Sequence, residues 1–244
     1  MSRTVWTPIA MAFLLAAVAG APAAFAEEDA AGTPPLIVIG DFNRDGVADV
    51  AEVAPSVGEE SGPRWLTVML GRGDGTFRQA AAIALMGRDP RSMVAADFSG
   101  DGNLDLIVGD GDGSLMELVG DGRGGFAAAE EIAHLGSVVS IAVADFNHDG
   151  VLDLAVSDLK GNLVKVLLGS GHGAFRAGWD FPTPMQGMVF HLATADFNGD
   201  GVADLVVTRE DEEMFAVMLG NGNGTFTYAP ALSKVIDPKA HCAT

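Results

Sequence analysis

From residue 36 to residue 230 the chain alternates short apolar runs with clusters of Gly, Asp and Asn. The runs are too short and too often cut by Gly or Asp to complete helical turns, and none shows a helical period. Their β-branched and aliphatic composition predicts strands instead. In one representative stretch, residues 138–144, 152–157, 163–168 and 175–181 read as four consecutive strands. Lys160, Gly161 and Asn162 supply hairpin-turn chemistry between the second and third.

The pattern repeats. An acidic loop of nine residues occurs at 41–49, 97–105, 145–153 and 196–204, its starts separated by 56, 48 and 51 residues. A glycine turn follows each loop in phase, at 71–77, 120–126, 169–175 and 220–226, with Gly at alternate positions and a closing Phe that can pack back as an anchor. Two motifs recurring in one order mark a repeat architecture. Four antiparallel strands per repeat, each repeat burying both faces on its neighbours, describe a propeller blade. The fold expected is therefore all-β, a β-propeller of four four-stranded blades with calcium-binding loops. A β-solenoid is the alternative, but it needs much shorter repeats, and the Gly-Asp stretch at 109–113 is not iterated.

Within each acidic loop, positions 1, 3, 5 and 9 carry oxygen donors, and Gly at position 6 lets the chain fold sharply enough for them to converge. Hard oxygens in that number suit calcium, with the carbonyl of position 7 as a further ligand and water completing the shell. The candidate ligands are Asp41, Asn43, Asp45, Val47 and Asp49 in the first loop, and Asp97, Ser99, Asp101, Asn103 and Asp105 in the second. The third offers Asp145, Asn147, Asp149, Val151 and Asp153, and the fourth Asp196, Asn198, Asp200, Val202 and Asp204. Any one such loop reads equally as a turn; its fourfold recurrence favours the metal. Three carboxylates within ~4 to 6 Å repel by about 1 kcal/mol per pair in water, and a divalent ion reverses that sign. An EF-hand shares the spacing but needs flanking helices and a Glu at position 12. Only Glu52 stands there; Val108, Val156 and Val207 occupy the place in the other loops, inside strand-like runs.

The ends read differently. Arg3, an apolar run and the small residues Ala24 and Ala26 ahead of Glu27 and Glu28 predict a secretory signal over residues 1–26. The run is too short for a membrane span. A linker is expected at 27–35, the propeller at 36–232 and a tail at 233–244. The formal charge of -19 excludes the basic surface that nucleic acid or an anionic membrane requires, while 48% hydrophobic residues exclude disorder. Cations are the natural counter-charge. The single cysteine, Cys242, forms no internal disulfide.

The acidic loop followed by the glycine turn resembles the FG-GAP/VCBS repeat family over residues 36–230. The resemblance implies the propeller fold of integrin α-subunit N-terminal domains, with calcium held in hairpin loops. It implies recognition of extracellular proteins or carbohydrates, for a chain that is secreted, periplasmic or held at the cell surface. The literal Phe-Gly and Gly-Ala-Pro elements are missing, and family propellers commonly have seven blades where four are counted here. A closed four-bladed ring, a partial ring completed by a second chain and an open stack are expected in that order. Trp65 and Trp179 are candidate contacts or blade-edge packing.

Catalysis is not expected. His134, His148, His172, His191 and His241 form no paired motif, and His148 and His172 replace Arg, Gly, Asp or Asn at variable loop positions. Nucleophile-elbow, zinc-protease and phosphate-loop motifs are absent. Arg72, Gly73 and Asp74 sit in a glycine turn, where an adhesive reading adds little. The functional expectation is a secreted calcium-binding module for binding, adhesion or scaffolding. The alternative is an accessory or catalytic domain of a carbohydrate- or lipid-active enzyme.

Overall fold

The computed structural model describes residues 35–54, 64–85, 89–182, 191–208, 214–230 and 234–235. The expected signal and nearly all of the linker and tail, with His241 and Cys242, lie outside them. Every described element is a strand, as the sequence pattern predicts.

The first blade comprises β1 (Leu36–Gly40), β2 (Asp49–Val53), β3 (Trp65–Gly71) and β4 (Phe77–Ala84). The second comprises β5 (Pro90–Ala96), β6 (Asp105–Asp110), β7 (Ser114–Leu118) and β8 (Glu130–His134). The third holds β9 (Val138–Ala144), β10 (Asp153–Asp158), β11 (Leu163–Gly169) and β12 (Phe175–Pro182). The fourth holds β13 (His191–Ala195), β14 (Asp204–Thr208), β15 (Met214–Gly220) and β16 (Phe226–Tyr228), with β17 (Lys234–Val235) added on β15. Each blade is an antiparallel meander in chain order. Register shifts that leave extra residues on β4, β5, β8, β9 and β12 add local twist to the blades.

The strands pack as their patterns require. All six residues of β6 and of β10 are buried, because both faces of the second and third blades meet a neighbour. In β2 the burial alternates, with Ala51 and Val53 turned toward the second blade. Three apolar cores result. Leu66, Val68 and Leu70 pack against Leu106 and Val108; Ile107 and Leu115 against Leu154 and Val156; Ala155, Val164 and Val166 against Leu205 and Val207. Strands β1, β5, β9 and β13 lie side by side in that order.

Among the described residues no core joins the fourth blade to the first. Among the described residues the blades therefore follow one another as an arc whose first and fourth members share no core; the closed ring placed first on sequence grounds would need one. No described helix is long and apolar enough to cross a membrane.

Candidate metal-binding rim

The β-meander brings the turn between the first and second strands of a blade and the turn between its third and fourth strands to the same end. Acidic loops and glycine turns therefore share one rim, and the residue that joins them is the Asp at position 9. Asp49 accepts the amide of Phe42 on Oδ2 and the amide of Gly71 on Oδ1, both at 2.8 Å. Asp105 does the same with Phe98 at 3.0 Å and Gly120 at 2.8 Å, Asp153 with Phe146 at 2.9 Å and Gly169 at 2.8 Å, and Asp204 with Phe197 and Gly220, both at 2.8 Å. All four carboxylates are 0% exposed. Burial pushes Asp49 and Asp153 above the ordinary carboxylate range, opposed by the two backbone hydrogen bonds and reinforced by the loop's own acids.

The glycine at the other end of each clamp is required by close approach. A Cβ on Gly71, Gly120, Gly169 or Gly220 would run into the carbonyl of Ala48, Leu104, Leu152 or Ala203, the residue just before the clamping Asp. Loop and turn thus recur in phase because one buried carboxylate and one backbone contact join them.

Above the clamp, positions 1, 3 and 5 gather at the surface. In the first loop Asp41 Oδ1 and Asn43 Oδ1 accept the same amide, that of Asp45, each at 3.0 Å, and Asp41 Oδ2 accepts the amide of Gly46. Asp45 in turn accepts the Asn43 amide group at 2.8 Å and the Val47 amide at 2.8 Å. The third and fourth loops repeat this, with Asp145 and Asn147 sharing the amide of Asp149, and Asp196 and Asn198 that of Asp200. In the second loop the Ser99 hydroxyl stands 3.5 Å from Asp97, and Asn103 donates its side-chain amide to Asp101 at 2.9 Å. Hydrogen bonds from loop amides hold Asp101 and Asp196 below the usual range.

The donor chemistry fits a hard, oxygen-ligated cation at positions 1, 3 and 5. Among the described residues no three His, Cys, Asp or Glu side chains come together as a metal group. The reason is visible: position 3 is an amide or hydroxyl, and the ninth residue faces the backbone below. Of the position 7 residues, Val47, Asn103, Val151 and Val202 each donate their own amide to position 5, and the backbone oxygen each could offer a metal is its carbonyl.

Position 4 also carries a backbone role. Arg44 and His148 adopt φ values of 60° and 59°, where the other loops place Gly100 and Gly199. These side chains are exposed at the rim, and Arg44 reaches Asn103 of the next loop at 3.4 Å.

Sequence reasoning missed a second set of buried acids at the opposite rim. Asp110 accepts the amide of Asp89 at 2.9 Å, and Asp158 accepts those of Ser137 at 3.1 Å and Gly161 at 3.0 Å. They end β6 and β10 and hold the entry to their own blade. It also missed Glu117 of β7, 8% exposed, whose Oε1 has no hydrogen-bond partner and whose carboxylate lies against Gly173 of the next blade's turn. A charged residue followed by Leu in a strand run gives no sign of such enclosure. Trp65 and Trp179, candidate contacts or blade-edge packing, are 50% and 57% exposed.

A repeated four-stranded blade with an acidic loop and a glycine turn at one rim defines a β-propeller-type repeat protein. A family model described as an FG-GAP-like repeat matches residues 41–108, 106–156 and 157–207. The chain belongs to the FG-GAP-like repeat family. Comparison with curated proteins finds no match. Among solved structures, BBS1N in complex with ARL6DN is similar at 14% identity and a TM-score of 0.51, over 80% of this chain and 54% of that one. A protein of Bacteroides uniformis ATCC 8492 with the provisional name 6-phosphogluconolactonase is similar at 13% identity and a TM-score of 0.62, over 83% of this chain and 57% of that one. These likenesses are of fold, and the chain spans little more than half the length of either protein.

Proposed function

We propose that the chain is an exported binding or scaffolding module whose four acidic loops take up calcium. The observation that carries the reading is the fourfold recurrence, on one rim, of surface oxygen donors at positions 1, 3 and 5 above a buried Asp clamp. Asp41, Asn43 and Asp45 would hold the ion in the first loop with the Val47 carbonyl, and the corresponding residues would do so in the others. When bound, calcium supplies two positive charges to loops that otherwise crowd carboxylates together.

The chain's own residues do the remaining work. The clamps fix each loop to its blade, and glycine turns fix the first three loops to the blade that follows, so the loops are presented together on one rim. With a formal charge of -19 that surface suits a protein or carbohydrate partner outside the cell. Glu117, whose carboxyl pKa is pushed up to about 7 by burial, is enclosed between blades rather than lining a cleft. That supports binding over catalysis.

The test is calorimetric titration of calcium into chelator-stripped protein. About four ions per chain, one per loop, should bind. Absence of binding heat together with an unchanged melting temperature would remove the metal from the proposal.

A further inference from the structure

Every interface between successive blades is built by the same two devices. The Gly at the fifth position of a glycine turn donates its amide to the Phe carbonyl in the preceding blade's acidic loop: Gly124 to Phe42 at 3.0 Å, Gly173 to Phe98 at 3.0 Å and Gly224 to Phe146 at 2.9 Å. That same Phe then meets the closing Phe of the turn edge to face. The ring centroids are 5.6 Å apart for Phe42 and Phe126, 6.0 Å for Phe98 and Phe175, and 5.3 Å for Phe146 and Phe226. Phe42, Phe98 and Phe146 are 2%, 4% and 1% exposed as a result.

One half of each device is left over at each end of the arc. The fourth blade presents Phe197, equivalent to Phe42, Phe98 and Phe146 but 45% exposed. The first blade presents the glycine turn ending in Gly75 and Phe77. Gly75 is exposed, whereas its equivalents Gly124, Gly173 and Gly224 are buried. Among the described residues its amide meets no Phe carbonyl. The sheet edge behind the first blade's turn is open too: Ile39 of β1 is 70% exposed, while Ala95, at the same place in β5, packs into the first interblade core.

We propose that these two ends are the halves of one further interface, and that the fourth blade of one molecule docks head to tail on the first blade of a second copy. The occupant follows from the match. A surface that lacks a Phe carbonyl and a Phe edge is matched by the surface that offers both, and each copy carries one of each. Charge points the same way. Arg72 stands exposed in the first blade's turn where the other blades have Asp121, Ser170 and Asn221, and it would face the acidic loop containing Asp196 and Asp200. Such a heterologous contact closes into a ring of arcs or runs on as a filament. Glu52 limits its strength. It occupies the core position held by Val108, Val156 and Val207 at the three internal interfaces, so the contact is reversible rather than permanent.

Sedimentation of the full chain over a range of concentrations tests this. The parent should associate, and Phe197→Asp or Ile39→Asp should each raise the dissociation constant at least tenfold. Both side chains are exposed in the single molecule, so these variants keep the parent's melting temperature. A mixture of the two variants retains one intact end from each, and should recover a dimer that grows no further. Glu52→Val should tighten association, and Trp179→Ala should leave it unchanged. A parent that stays monomeric at every concentration overturns the proposal, as would a chain closed on itself. Association that survives Phe197→Asp also overturns it, because the contact then lies elsewhere.

Discussion

Asp153 Oδ1 accepts the amide of Gly169 at 2.8 Å while its Oδ2 accepts that of Phe146 at 2.9 Å, so a single buried carboxylate ties the acidic loop of the third blade to the turn between β11 and β12. The other blades repeat the bond with Asp49, Asp105 and Asp204. The last residue of the loop motif is therefore part of the fold.

Truncating it should show this without any metal. Asp153→Ala leaves two buried amides without acceptors, at about 1–3 kcal/mol each. The variant should lose on the order of 2–5 kcal/mol in urea denaturation under chelation. Asp149→Ala, at exposed position 5 of the same loop, should lose less than about 0.5 kcal/mol under the same conditions. Equal losses would mean that the clamp carries no special weight.

Gly169→Ala makes a second test of the same joint. The added methyl would overlap the carbonyl of Leu152, which is backbone and can yield only by shifting the loop. Overpacking of this kind costs about 1–3 kcal/mol, and calcium affinity of the third loop should fall with it. A variant as stable as the parent would place the loop and turn farther apart than the structure does.

Much of this was legible beforehand, and the boundary has a physical cause. Short β-branched and aliphatic runs bounded by Gly-Asp turns place the strands of the third blade to within a residue or two, because local sequence decides them: residues 152–157 read as a strand, and β10 is Asp153–Asp158. The four loops were visible for the same reason. What one repeat does to the next was not. Phe146 and Phe226 lie eighty positions apart in the numbering and meet only through the stacking of blades. The clamp role of the ninth Asp was hidden because a ligand and a backbone acceptor demand the same side chain. Asp110 and Asp158 look like ordinary turn residues until their buried amide partners are seen.

Calcium should act loop by loop. Asp45→Ala and Asp200→Ala should each remove about one ion from the binding stoichiometry and leave the other sites intact, since the loops belong to separate blades. At a hundredfold excess over its dissociation constant, each ion would add about 2.7 kcal/mol to stability. Chelation should accordingly lower the melting temperature of the parent sharply and that of the single variants by less. A parent whose melting is indifferent to chelator would assign these loops a purely structural role as turns.

Glu117 gives the fold a pH dependence whose sign can be worked out. Burial, reinforced by the negative charges of Asp105 and Glu130, raises its pKa from 4.5 to about 7. The folded chain thus holds a proton that the unfolded chain releases near pH 4.5, and stability falls as pH rises through that interval. Below about pH 4.5 its ionisation takes nothing from stability; above about pH 7 the full ionisation penalty applies, on the order of 3 kcal/mol. Its carboxylate sits against Gly173 at the contact between the second and third blades, so the penalty falls on that interface. Glu117→Gln keeps the shape and removes the charge. The variant should match the parent at pH 4 and exceed it in stability at pH 8, and the difference between the two denaturation curves should open between those values. Parallel curves across the whole range would mean that Glu117 is solvated in the folded protein and that the interface tolerates its charge.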